Sequence, residues 1–81
     1  MDFQLYFDVV LVHDVTDEGL FAGDVGVVVE HHDVAGFETG SSVEFFDMLG
    51  NTIAVVTLPA SFWRQPTQAD RPAVRSQLVT V

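Results

Sequence analysis

Valine-rich stretches alternate along this chain with short polar, glycine-containing breaks, and each stretch is strand-sized rather than helix-sized. Phe7–His13 is rich in β-branched and aromatic side chains and is closed by Asp14, which predicts a first strand. Asp14–Gly23 follows as a packed loop. In it Leu20 and Phe21 tuck under the sheet while the acids face water. A second strand runs from Gly26 to His31 or His32, and Asp33–Gly40, with Gly36 inside it, makes the next turn. Val43–Leu49 and Thr52–Leu58 flank Gly50-Asn51, predicting a hairpin with a two-residue turn and glycine at its first positive-φ position. In that register Leu49 faces Thr52. Val43, Phe45, Ala54, Val56 and Leu58 then share one face, and Glu44, Phe46, Met48, Ile53, Val55 and Thr57 the other. The second set is the outer one, so Phe46, Met48, Ile53 and Val55 are left half exposed.

Pro59 stops the fourth strand by removing a donor, Ala60-Ser61-Phe62 makes one helical turn, and Phe62–Arg64 closes the sheet. Adjacent strand residues point to opposite faces, so one ring of each pair, Phe45-Phe46 and Phe62-Trp63, faces inward. Trp63 either stacks on a partner beside Arg64 or covers the open end of the barrel. Five short strands with no helical period before residue 60 predict an all-β fold, a small SH3-like antiparallel five-stranded barrel over residues 1–64. Residues 65–81, with Pro66, Pro72 and two of the three arginines, read as a C-terminal tail or arm, in which Leu78–Val81 can add a strand. Eighty-one residues leave room for one core only.

Charge sharpens this picture. Residues 1–63 hold eleven of the twelve carboxylates and no Lys or Arg; Arg64, Arg71 and Arg75 follow with Asp70, and the net charge is −9. Phosphate backbones and anionic lipids are bound by Lys and Arg, so the body of the domain repels both, and neither nucleic acid nor membrane is expected as a partner. No apolar run approaches the ~18–20 residues of a membrane helix. A basic protein partner is favoured instead, docking over Asp14, Asp17, Glu18, Glu30, Asp33 and Glu44 with Phe46 and Trp63 as apolar anchors. The same acidity also serves simply to keep a small apolar domain in solution. There are no cysteines and no basic, apolar leader after Met1-Asp2, a pattern that fits a reducing, cytoplasmic location.

The run Gly19-Leu20-Phe21-Ala22-Gly23-Asp24-Val25-Gly26-Val27-Val28-Val29-Glu30, then Val43-Glu44-Phe45, then Thr52–Ala60, resembles the bacterial family of domain of unknown function 4926 from about residue 5 to Arg64. That resemblance implies a compact SH3-like or translation-protein-type barrel with no assigned chemistry. Through members that sit beside toxin-like genes, it also implies an antitoxin or immunity role. The tail after Arg64 lies beyond the shared pattern. Gly23–Val28 is also similar to the glycine-centred turn and strand of KOW domains, whose basic loops bind nucleic acid. No Lys or Arg stands in this segment, which leaves a turn requirement: glycine for positive φ and close approach, Asp24 as a side-chain cap.

Candidate chemistry is sparse. His31-His32-Asp33, with His13 elsewhere, offers ligand types for zinc or nickel, but adjacent strand residues cannot both reach one ion. Asp14, Asp17, Glu18 and Asp24 lack the spacing of a calcium loop, Ser41, Ser42, Ser61 and Ser76 lack a nucleophile-elbow frame, and no glycine loop ends in lysine. No catalytic residue, metal or cofactor is expected. The leading expectation is a noncatalytic inhibitor of a basic, nuclease-like partner. One alternative is a structural homo-oligomer joined through Phe46, Met48, Ile53 and Val55, and another a nucleic-acid-binding barrel resting on the three arginines.

Overall fold

In the computed structural model, which describes residues 4–33, 39–72 and 74, the valine-rich stretches become five strands. They are β1 (Asp8–Leu11), β2 (Val25–His32), β3 (Gly40–Phe46), β4 (Thr52–Pro59) and β5 (Trp63–Arg64), with single 3-10 turns at Thr16–Glu18 and Ala60–Phe62. Every pairing is antiparallel and the order is β4-β3-β2-β1-β5, so the chain is all-β and its sheet curls into an SH3-like half-barrel. Among the described residues no helix is long and apolar enough to cross a membrane.

Strand alternation builds the core. Val28, Val43, Phe45 and Val56 point inward and meet Val9 and Leu11 of β1, while Leu20 reaches in from the β1–β2 excursion. Leu20 is fully buried, as its place in that loop predicts, but Phe21 is 42% exposed and does not tuck under the sheet. The excursion is short. Val15 bridges Leu20 and packs with it against the core, while the carboxylates of Asp14 and Asp24 accept the amides of Ala22 and Phe21 and the Phe21 ring is left outside.

Trp63 is 4% exposed, and this removes it from the docking surface. Pairing of Leu11 with Trp63 turns the indole inward, against Phe45 at a ring-centroid distance of 6.1 Å, with Nε1 donating to the Leu58 carbonyl. It closes the end of the half-barrel.

The β3–β4 turn is longer than the expected two residues. Phe46 pairs with Thr52, leaving Asp47–Asn51 as the loop, and Val43 faces Val56 rather than Leu58. Asp47 is the physical reason. Its Oδ1 accepts the Leu49 and Asn51 amides at 2.9 Å each, its Oδ2 accepts the Asn51 side-chain amide, and its backbone N–H closes on the Asn51 carbonyl. Gly50 supplies the positive φ, +89°, that lets the chain reverse. From Gly40 to Phe45 the register shift is even, so those residues and their β4 partners keep their expected faces, and an irregularity follows between Phe45 and Phe46.

The hydrogen bonds from Asn51, backbone first and then side chain, followed by that from Leu49, hold the Asp47 carboxyl below its ordinary value. Stability from this group is therefore complete above the unfolded carboxylate pKa of about 3.9 and is lost as pH falls through the lower folded value. Asp47→Asn is expected to melt below wild type at neutral pH, with the gap narrowing in acid. Melting curves at both pH values check this; a gap that stays constant would show that the charge does not hold the turn.

Beyond β5 the chain turns back on an Arg64–Asp70 pair. The suggested strand Leu78–Val81, Arg75, and Gly36 of the β2–β3 turn lie outside the described residues.

Candidate functional site

A groove of about 350 Å³ lies between the β1–β2 excursion and the β3–β4 hairpin. The excursion contributes Glu18 and Asp24, and the hairpin contributes Phe46, Asp47, Met48 and Ile53. The apolar members stand open to solvent: Met48 is 82% exposed, and Val25, Phe46 and Ile53 are each about half as accessible or somewhat more. An extra β4 residue explains part of this. Phe45 faces Ala54 but Phe46 faces Thr52, so Ile53 bulges outward beside Phe46. Among the described residues no Lys or Arg lines the groove, which joins the carboxylates of Glu18, Asp24 and Asp47 to a solvent-facing apolar floor.

The acids expected to form one face are divided. Glu18 lies in the groove, Asp17 is its neighbour in the 3-10 turn, and Asp14 caps the same excursion. Glu30 lies near the far end of β2 and Asp33 just beyond it, and the eight residues of that strand span about 23 Å at roughly 3.3 Å each. There Asp33 accepts the Thr39 hydroxyl at 3.1 Å, and Glu30 lies 3.6 Å from His32. Glu44 stands midway on the outer face, in register with Val27 and Val55, and accepts the Thr52 hydroxyl. Of the expected anchors Phe46 is in the groove and Trp63 is in the core. Asp24 and Asp47, absent from the expected set, complete the acidic rim. Asp24 was legible as a turn cap and as one of the loop acids, and the signal for Asp47 was a carboxylate three residues before Gly50.

At the far end, Ser42 Oγ lies 3.0 Å from His32 Nε2 and 2.6 Å from Thr57 Oγ1. A serine, a histidine and a glutamate thus meet, but Glu30 approaches the same ring nitrogen as Ser42. An acid that supports a nucleophile through histidine must hold the opposite nitrogen, so this cluster is a cross-strand hydrogen-bond network and not a relay. His31 bonds to Ser41 on the other face, as the alternation of adjacent residues requires. Among the described residues no three His, Asp or Glu side chains gather as a metal cluster. A second hollow, of about 500 Å³, lies where Tyr6 and Phe7 approach Gln65 and Pro66; among the described residues its one carboxylate is that of Asp8.

The family model described as Domain of unknown function (DUF4926) matches residues 5–63. The chain belongs to this family. No curated protein and no solved structure matches it. The DUF4926 segment contains β1 to β4 and the excursion, and so supplies both walls of the groove. Pro72 and Val74, which also line the groove, come from the arm outside the DUF4926 segment.

Proposed function

We propose that this domain is a noncatalytic interaction module that docks a basic protein partner on the acidic groove, in the manner of an antitoxin or immunity-type inhibitor. One observation carries the reading: Glu18, Asp24 and Asp47 rim an exposed apolar floor of Val25, Phe46, Met48 and Ile53, with no basic side chain among them. Charge at the rim steers a cationic partner and sets its orientation, while burial of the apolar floor slows its release.

The test is titration with the purified product of the adjacent gene, at low and at high salt. Screening shortens from about 10 Å at 0.1 M to about 3 Å at 1 M, so binding is expected to weaken steeply as salt rises. Asp17→Asn together with Glu18→Gln is expected to slow association by about tenfold and to leave the fold intact, since neither side chain is in the core. An affinity indifferent to salt would overturn the reading.

A specific feature of β4 favours the homo-oligomer as a second reading. This strand is a sheet edge of eight residues with no charged side chain, and it presents Ile53 and Val55 outward. Edges are usually guarded by charge. In sedimentation runs of the same protein, self-association that survives high salt and is abolished by Val55→Lys would favour pairing of copies over an acidic dock.

A further inference from the structure

The arm beyond β5 is turned back by a clamp. Arg64 Nη1 and Nη2 donate to the two Asp70 carboxylate oxygens at 2.8 Å each, and the same carboxylate accepts the Thr67 amide at 2.6 Å. The guanidinium, followed by the Thr67 amide, holds the Asp70 carboxyl far below the usual range, so the pair stays charged at ordinary pH. The Arg71 guanidinium folds onto the Gln68 and Asp70 carbonyls and tightens the same turn. Pro72 comes next, with a fixed φ and no N–H to draw it into a strand. Pro72 and Val74 then line the groove together with Glu18, Phe46 and Met48. Val74 remains 76% exposed, so the arm meets the groove at its rim and is not locked into it.

We propose that the arm is a built-in, displaceable occupant of the groove: the Arg64–Asp70 clamp presents Pro72 and Val74 to Phe46 and Met48, and an incoming partner must lift them. Polarity supports the assignment: Pro72 and Val74, both uncharged and largely apolar, meet an apolar floor, and the clamp that carries them brings no unpaired carboxylate to a rim of acids, since Asp70 is bound by Arg64. A short tether gives such a segment an effective concentration in the millimolar range, so a weak contact competes with a partner in solution. The partner's apparent affinity then falls by the fraction of time the groove is covered. This rests on the groove being the docking site.

The experiment uses the full chain. Because the protein contains no cysteine, Ser76→Cys accepts a single nitroxide, and broadening of the Met48 and Ile53 methyl signals reports the arm's approach. Broadening is expected in the otherwise wild-type protein, lost in Arg64→Gln, and restored by the exchanged pair R64D/D70R. Signals that match between the oxidised and reduced label would overturn the proposal, as would broadening untouched by Arg64→Gln. Titration with the adjacent-gene product is read separately. Tighter binding by Arg64→Gln than by wild type supports displacement, and equal binding by both overturns it. If the broadening behaves as expected but no partner binds, the docking reading fails and the arm contact stands.

Discussion

Trp63→Ala is expected to bring the domain to the edge of unfolding. Truncating a buried tryptophan costs about 3–5 kcal/mol, the lost transfer energy plus the cavity left behind, against a total stability of about 5–15 kcal/mol for a small domain. Trp63 spans the half-barrel where β1 and β5 meet. Leu11 stands opposite it in register, Phe45 packs against its ring, and its indole N–H reaches the Leu58 carbonyl. Little surrounding structure can collapse into the space, because β5 is only two residues long. Trp63→Phe should cost less, keeping an aromatic ring against Phe45 while losing part of the buried ring volume and a long hydrogen bond of 3.4 Å. Phe46→Ala, on an exposed side chain, should move stability by about 0.5 kcal/mol or less. Urea denaturation followed by far-ultraviolet circular dichroism separates the three, since the chain's single tryptophan cannot report on its own replacement. A midpoint for Trp63→Ala equal to that of Phe46→Ala would mean that the indole is not part of the core.

That contrast also marks what a linear reading can resolve. Strand existence and facing were legible, because both follow from a period of two and the valine clusters repeat it. Facing in the β3–β4 hairpin withstood an error in turn length, because up to Phe45 the true register differs by two residues and parity is preserved, the odd residue being taken up at Ile53. Turn length itself was not legible. Gly50-Asn51 carries a two-residue signal, and a carboxylate at Asp47 overrides it by binding three donors of its own loop. Trp63 was ambiguous for a different reason. Alternation puts one of Phe62 and Trp63 inside, but which one depends on the pairing of Leu11 with Trp63, a contact between residues more than fifty apart in the chain.

The candidate site was less legible than the fold. Six acids were read as one surface because they are numerous and uncompensated, yet β2 carries Glu30 and Asp33 away from Glu18, and only the folded sheet reveals the separation. Conversely, the excursion, the hairpin loop and the arm are remote in sequence and meet at one groove. Local pattern supplied Phe46 and Glu18. Asp24 reads in the sequence as a turn cap or a calcium-type acid and Asp47 carries no signal beyond its turn, although a side chain that caps a loop can still show its charge to a partner. The arm's arginines, read as free cations, are partly committed: Arg64 to Asp70, and Arg71 to carbonyls of its own turn.

Gly26→Ala should be destabilising by about 1–3 kcal/mol, and Gly26→Val by more, through overpacking of a core that cannot give way. A methyl built on Gly26 would lie 2.5 Å from Val43 Cγ1, 3.0 Å from the Glu44 carbonyl oxygen and 3.1 Å from Phe45 Cε1. Val43 and Phe45 are both buried, and the carbonyl belongs to the neighbouring strand, so relief requires β2 and β3 to move apart. Removing a glycine also restricts the unfolded chain, which favours folding by about 0.4–1 kcal/mol where the native conformation is compatible. Steric conflict outweighs that gain at Gly26. Gly40 isolates the gain, since it too lies in a strand, but its nearest neighbours would be at 3.7 Å or beyond, ordinary contact distances. Gly40→Ala is therefore expected to be neutral or mildly stabilising. Opposite signs for the two alanine variants in one denaturation series would assign the glycine of the Gly23–Val28 segment to close packing of β2 on β3. Matching signs would contradict the close approach of these two strands and leave the need for glycine there without a steric cause.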